Sequence, residues 1–209
     1  MKFKDDALVA SPGDKYHYSS WGYVVAACAI EGASKQSFND FVATQILAPA
    51  GMTHSAMDKP NLDLPSRATG YSLQDDGSLK IAGVLNPSDR YGAGGLLSTP
   101  GDMVRFSNAL LDEKFIGRDA MEMMWSPQAL TGGGNSGHGL GWDLDEPFHA
   151  IGKGGTAFDA TSYLYLVPSK DLVVAFSTNR VLWDDGRMDL ARDLARVFGS
   201  DADQLVSQD

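Results

Sequence analysis

The stretch that decides the reading runs from Ile151 to Pro168, IGKGGTAFDATSYLYLVP. Lys153 stands among Gly152, Gly154 and Gly155, directly ahead of an apolar run ending at Val167. A lysine is rarely buried without a partner. Glycine weakens a strand unless another backbone or a ligand must come close. The segment therefore reads as a strand edge that presents a cation and leaves room for a substrate backbone to pair with it. Thr156 follows, and its N–H is placed to meet an oxyanion.

The surroundings continue the strand pattern. DLVVAFST, ending at Thr178, is a second apolar run, and PSKD (Pro168 to Asp171) between the two is a short turn, so they predict an antiparallel hairpin. Upstream, HGLGWDL and FHAIG read as two more strand-like pieces. Downstream, Met188, Leu190, Leu194 and Val197 set a last amphipathic helix from about Asp184 to Phe198.

Towards the N-terminus the pattern is helical. Ser19 or Ser20 caps a helix from Trp21 to Ala33, with Gly32 helping to end it. Ser37, with Asp40 three residues on, starts a second helix that Pro49 and Gly51 stop. Two short strands flank Asp75-Asp76-Gly77, a hairpin signal. Ser98 or Thr99 caps a helix from Pro100 to about Leu111, and a shorter one covers Ala120 to Trp125. The fold class is α+β: an antiparallel sheet flanked by helices, plus part of a helical lobe. Residues 1–112 form the helical portion with its small hairpin, 113–200 the sheet and C-terminal helix, and 201–209 a tail.

Composition narrows the function. Net charge is −10 over 209 residues, which excludes nucleic acid as a main partner, since phosphate binding needs a basic face. Cys28 is the single cysteine, inside VVAACAI, and reads as a small core residue. No Cys/His cluster has zinc spacing, and neither a metal nor a cofactor is expected. Asp5-Asp6, Asp75-Asp76 and Asp184-Asp185 read as solvated acids, and Met121, Met123, Met124 and Trp125 as core packing.

Two places concentrate chemistry. Tyr18, just before a helix in Tyr18-Ser19-Ser20, can act as a base only if a cation lowers the pKa of its phenol from about 10. Lys153 offers such a cation. Together with the order of the surrounding segments, these residues resemble the serine β-lactamase-like superfamily of class C β-lactamases, penicillin-binding DD-peptidases and related esterases, and specifically its C-terminal portion. PGDKYHYSSWGY resembles the lead-in to a Tyr-x-Asn motif. ILAPAGMTHSAM, AGGLLSTPGDMVRFSNALL and HGLGWDL follow in the family's order, and GKGGTAFDATSYLYLVPSKDLVVAFSTN matches the Lys-Thr-Gly strand and its partner.

The resemblance implies a hydrolase acting on a small ester, amide or β-lactam through an acyl-enzyme. Tyr18 and Lys153 take the catalytic places, and Ser20, Gly155, Thr156 and Asp159 the substrate-binding ones. Three departures stand out: Ser20 replaces Asn, Gly154 replaces the hydroxyl residue of Lys-Thr-Gly, and Asp159 replaces a glycine. They lean towards an esterase or peptidase-like relative. A larger departure is an absence. No lysine in the sequence has a serine or threonine three residues before it, so the activating Ser-x-x-Lys pair is missing. Ser136, beside His138 in GGGNSGHGLG, is a possible substitute nucleophile but reads as a loop serine.

The expectation is a C-terminal part of a longer hydrolase, inactive alone, with any export signal upstream. An uncovered sheet edge and apolar face imply a homo-oligomer, an element swap or a separate N-terminal segment as partner. The alternative is a non-enzymatic binding or assembly protein on the same fold.

Overall fold

A computed structural model describes residues 5–59, 62, 64, 66–83, 86–157, 160–181 and 186–199. Helix α1 (Ser20–Ser34) opens the helical part. Helix α2 (Phe38–Val42) continues through a π-helical turn at Ala43–Leu47 into α3 (Ala48–Ala50). Strands β1 (Ala56–Met57), β2 (Tyr71–Leu73), β3 (Leu79–Ile81) and β4 (Leu96–Leu97) form two small ribbons, β1 with β4 and β2 with β3. Helices α4 (Pro100–Leu111) and α5 (Arg118–Met124) follow. Strands β5 (Asp143–Asp145), β6 (Ala150–Thr156), β7 (Thr161–Val167) and β8 (Leu172–Thr178) then build an antiparallel sheet in sequence order, and α6 (Gly186–Phe198) closes it.

Strand β7 holds the core because both its faces are covered. Tyr163, Tyr165 and Val167 pack with Val174 against Ala191 and Ala195 of α6. Leu164 and Leu166 pack on the other face, against Leu110, Met121 and Trp142. The alanines let α6 lie close to the sheet. Leu166 is fully buried, and truncating such a leucine costs about 2–5 kcal/mol. Buried Asp145 ties the layers together: it accepts from Tyr165 Oη at 2.7 Å, Arg192 Nε at 2.8 Å and Arg192 Nη2 at 2.9 Å. The guanidinium groups of Arg192 and Arg196 stand over the Phe148 ring, 4.9 and 5.2 Å from its centroid.

Several local expectations need correction. Helix α1 runs past Gly32 and ends at Lys35, which adopts φ 59° as cap while its N–H bonds Glu31 O. HGLGW is a turn, not a strand: Gly139 N donates to Trp142 O at 3.0 Å, and Gly141 has φ +84°. Met123 is exposed, while Met121 is buried. Cys28 is exposed as well. The reason is one surface: α1 is apolar on nearly every side, as buried helices are, yet only its Ala27 is buried. Asp184 and Asp185, at the expected start of the last helix, lie outside the described residues.

Candidate functional site

The glycines around Lys153 have a structural cause that the sequence did not reveal. A Cβ at Gly152 would lie 2.6 Å from Tyr163 Oη, and one at Gly154 would lie 2.8 Å from Tyr163 Cδ2. Tyr163 sits opposite Gly154 in the β6–β7 register, so its ring fills the space that side chains at both glycines would need. Gly155 is different: a Cβ there would meet only Ser162 Oγ, at 3.6 Å. Two of the three glycines therefore serve the core, and the missing hydroxyl at 154 is a consequence of Tyr163.

Alternation along β6 sends Gly154 and Thr156 side positions to the α6 face and Lys153 to the other. Thr156 Oγ1 accepts from Arg187 Nη1 at 2.9 Å, on the α6 side. Ala157 N donates to Ala160 O across the β6–β7 turn. By the same alternation the Thr156 N–H points to the opposite edge, where β5 pairing ends at Asp143–Gly152.

Lys153 projects into a cavity of about 590 Å³. One wall is the loop from Lys15 to Ser19 together with Gly22, Tyr23 and Ala26 of α1. The other is Gln128 to Leu130 and the turn from His138 to Trp142. The Lys153 ammonium stands 5.7 Å from the Tyr18 ring centroid, within cation–π reach. It also lies 3.4 Å from Asp143 Oδ1. Ser20, Gly155 and Thr156 do not line the cavity; Ser19 does, and its hydroxyl caps α1 by accepting from Gly22 N. Asp159 lies outside the described residues.

Sequence reasoning passed over Tyr16, His138 and Asp143, which stand beside this pair. The Tyr16 and His138 rings stack with centroids 4.1 Å apart. His138 Nδ1 is 3.9 Å from the same Asp143 Oδ1. Burial raises the Tyr16 phenol above its ordinary value; Lys153 opposes this, and Asp143 adds to it. A spacing signal existed for His138 and Asp143, since the Gly-Leu-Gly turn between them folds one back onto the other. Ser136 is held by backbone: Gln128 N and His138 N donate to its Oγ at 3.1 Å, and the hydroxyl donates to His138 O at 2.7 Å. A serine so engaged has no proton to give a base. Among the described residues no cluster of three potential metal ligands occurs.

The antiparallel sheet backed by a C-terminal helix is a fold shared with penicillin-binding protein structures. The Beta-lactamase family profile matches residues 2–198, and the chain belongs to that family. It is 31% identical to penicillin-binding protein 4* of Bacillus subtilis over 145 residues, 64% of this chain and 32% of that protein. It is 28% identical to the mouse mitochondrial serine beta-lactamase-like protein LACTB, over 62% of this chain and 26% of that one. The octameric penicillin-binding protein homologue from Pyrococcus abyssi superposes with a TM-score of 0.74 at 26% identity, over 91% of this chain and 44% of that chain. The chain thus spans about a third or less of these curated relatives.

Proposed function

We propose that this chain carries the proton-transfer and oxyanion-binding part of a serine acyl hydrolase, acting on a small ester, amide or β-lactam once a nucleophile is supplied by a segment outside these 209 residues. The observation that carries the reading is the approach of Lys153 to Tyr18 across the cavity, 5.7 Å from ammonium to ring centroid. Tyr18 and Lys153 line one cavity, where the pair can pass a proton to and from a nucleophile. The Thr156 N–H faces the open edge of β6, where a developing oxyanion and an extended substrate backbone can both be met.

Two surfaces support a docking segment. Strand β8 has a sheet neighbour on one side only among the described residues, and LVVAFST carries neither proline nor charge to protect the other side. Helix α1 exposes Tyr23 and Val25 next to the cavity wall it forms. An apolar helix-and-strand segment bearing a serine fits both needs.

Labelling with a fluorescent penicillin and a fluorophosphonate tests this. The isolated chain should not label. Adding a relative's Ser-x-x-Lys segment, or any such segment found upstream of this chain, should restore labelling. No labelling with either addition would overturn the reading and favour a binding or assembly protein instead.

A further inference from the structure

We propose that Asp143 is a positioning residue for Lys153, and that His138 competes with Lys153 for the same carboxylate oxygen, so that a proton on His138 releases the Lys153 ammonium towards Tyr18. Only the consequence for Tyr18 rests on the functional reading above. The competition itself rests on geometry.

Asp143 Oδ1 stands 3.4 Å from Lys153 Nζ and 3.9 Å from His138 Nδ1. The second distance is too long for a hydrogen bond. Histidine changes charge near neutral pH. Once protonated, the ring presents an N–H at Nδ1 and a positive charge to a carboxylate already serving another cation. Two like charges then face one another across one oxygen, and their repulsion displaces the more mobile of the two.

Lys153 is the one free to move. His138 is pinned at three points. Its backbone bridges to Asp143 across the turn. Its N–H and C=O are both bonded to Ser136 Oγ. Its ring stacks on Tyr16 at 19°. The turn beneath it is equally fixed, because a Cβ at Gly139 would lie 2.4 Å from Met124 O. Lys153 instead holds its charge on a flexible four-carbon stem and already has a second station over the Tyr18 ring.

The titratable and charged groups that share the cavity with His138 come from every wall. They are Tyr16 with Tyr18, His17 and Lys15 from the loop, Tyr23 from α1, Asp143 from β5 and Lys153 from β6. Of these, Tyr16 and Asp143 meet its ring directly. His17 is the other imidazole in the cavity lining, so it is the necessary control.

The experiment follows the Lys153 side-chain 13Cε resonance, assigned with Lys153→Arg, from pH 5 to 8 in the chain as it stands. The expected result is a step in the Lys153 signal at the same pH as the His138 ring step. His138→Gln and His138→Phe, the latter keeping the stack on Tyr16, should abolish the step. His17→Gln should keep it, and Asp143→Asn should fix Lys153 in its low-pH position throughout. A Lys153 step that survives in a folded His138 variant overturns the proposal. So does the absence of a step in the unmodified chain, which needs no variant to fold. No nucleophile or substrate enters the measurement, so its failure leaves the hydrolase reading untouched.

Discussion

The Tyr163 ring lies so close over Gly154 that a Cβ on residue 154 would come within 2.8 Å of Tyr163 Cδ2. A core tyrosine on β7 therefore dictates what the strand edge beside Lys153 is able to carry. Gly154→Thr, which would complete a Lys-Thr-Gly sequence, should overpack this contact and lower stability by about 1–3 kcal/mol. Urea unfolding checks this. Combining it with Tyr163→Val should cost less than the sum of the two single losses, because the obstructing ring is gone; strictly additive losses would remove Tyr163 as the cause.

Asp145 is the link between β5, β7 and α6. It is buried and accepts three hydrogen bonds from Tyr165 and Arg192. Removing one member of a buried ionic pair leaves the other charge uncompensated, at a cost of about 3–5 kcal/mol. Arg192 is partly exposed, so the lower end of that range is expected for Asp145→Asn. A thermal melt showing no change in Tm would contradict the link.

Acid should loosen the contact between α4 and the loop after α3. Burial pushes the Asp102 carboxyl up, but hydrogen bonds from Ser55 Oγ, the His54 amide and Arg105, with the charge of Arg105, outweigh it and hold the carboxyl below its ordinary value. A depressed folded pKa adds stability that is present above the unfolded value of about 4 and lost as pH falls through the folded one. Asp102→Asn should lower stability at pH 7 and flatten the loss of stability below about pH 4. Denaturant midpoints from pH 2.5 to 7 measure both effects.

At the alkaline end, Tyr16 reports on the cavity. Burial raises its phenol, and Lys153 and Asp143 act on it in opposite senses. Lys153→Met should therefore move its ionisation to higher pH and Asp143→Asn to lower pH, read by absorbance at 295 nm against a Tyr16→Phe blank. Because the folded value is raised, the folded state keeps this proton longer, and stability falls as pH rises through the tyrosine range.

If the proposed function holds, then in the chain supplemented with a relative's nucleophile-bearing segment Tyr18→Phe should slow acylation by about 10²–10⁴-fold, the usual contribution of a positioned general base. Ser136→Ala should leave the rate within a few-fold, since the Ser136 hydroxyl is spent on backbone. A slow Ser136→Ala and an unaffected Tyr18→Phe would reverse the assignment of roles.

Much of this was legible beforehand. The capping serines 19 and 37, Thr99 ahead of Pro100, the turn at Gly77 and the β7–β8 hairpin all lie where local chemistry places them. Each depends on residues within a few positions of one another. What was illegible depended on distant residues. Cys28 has the apolar neighbours of a core residue, but its burial depends on what covers α1. Gly154 looked like room for a substrate, yet the space belongs to Tyr163, nine positions on and facing it across two strands. His138 and Asp143 carry a spacing signal only once the Gly-Leu-Gly segment between them is known to turn, and its apolar residues resemble a strand equally well.

The order of motifs along the chain determined the family, the antiparallel sheet and the pairing of Tyr18 with Lys153 as a hypothesis, since hydrophobic period, capping and turn chemistry are written in neighbouring residues. Only the tertiary structure decided that these two groups share a cavity, that Asp143 stands between Lys153 and His138, and that Ser136 has no proton to offer. Those facts are distances between strands and loops far apart in sequence, and distance is fixed by packing.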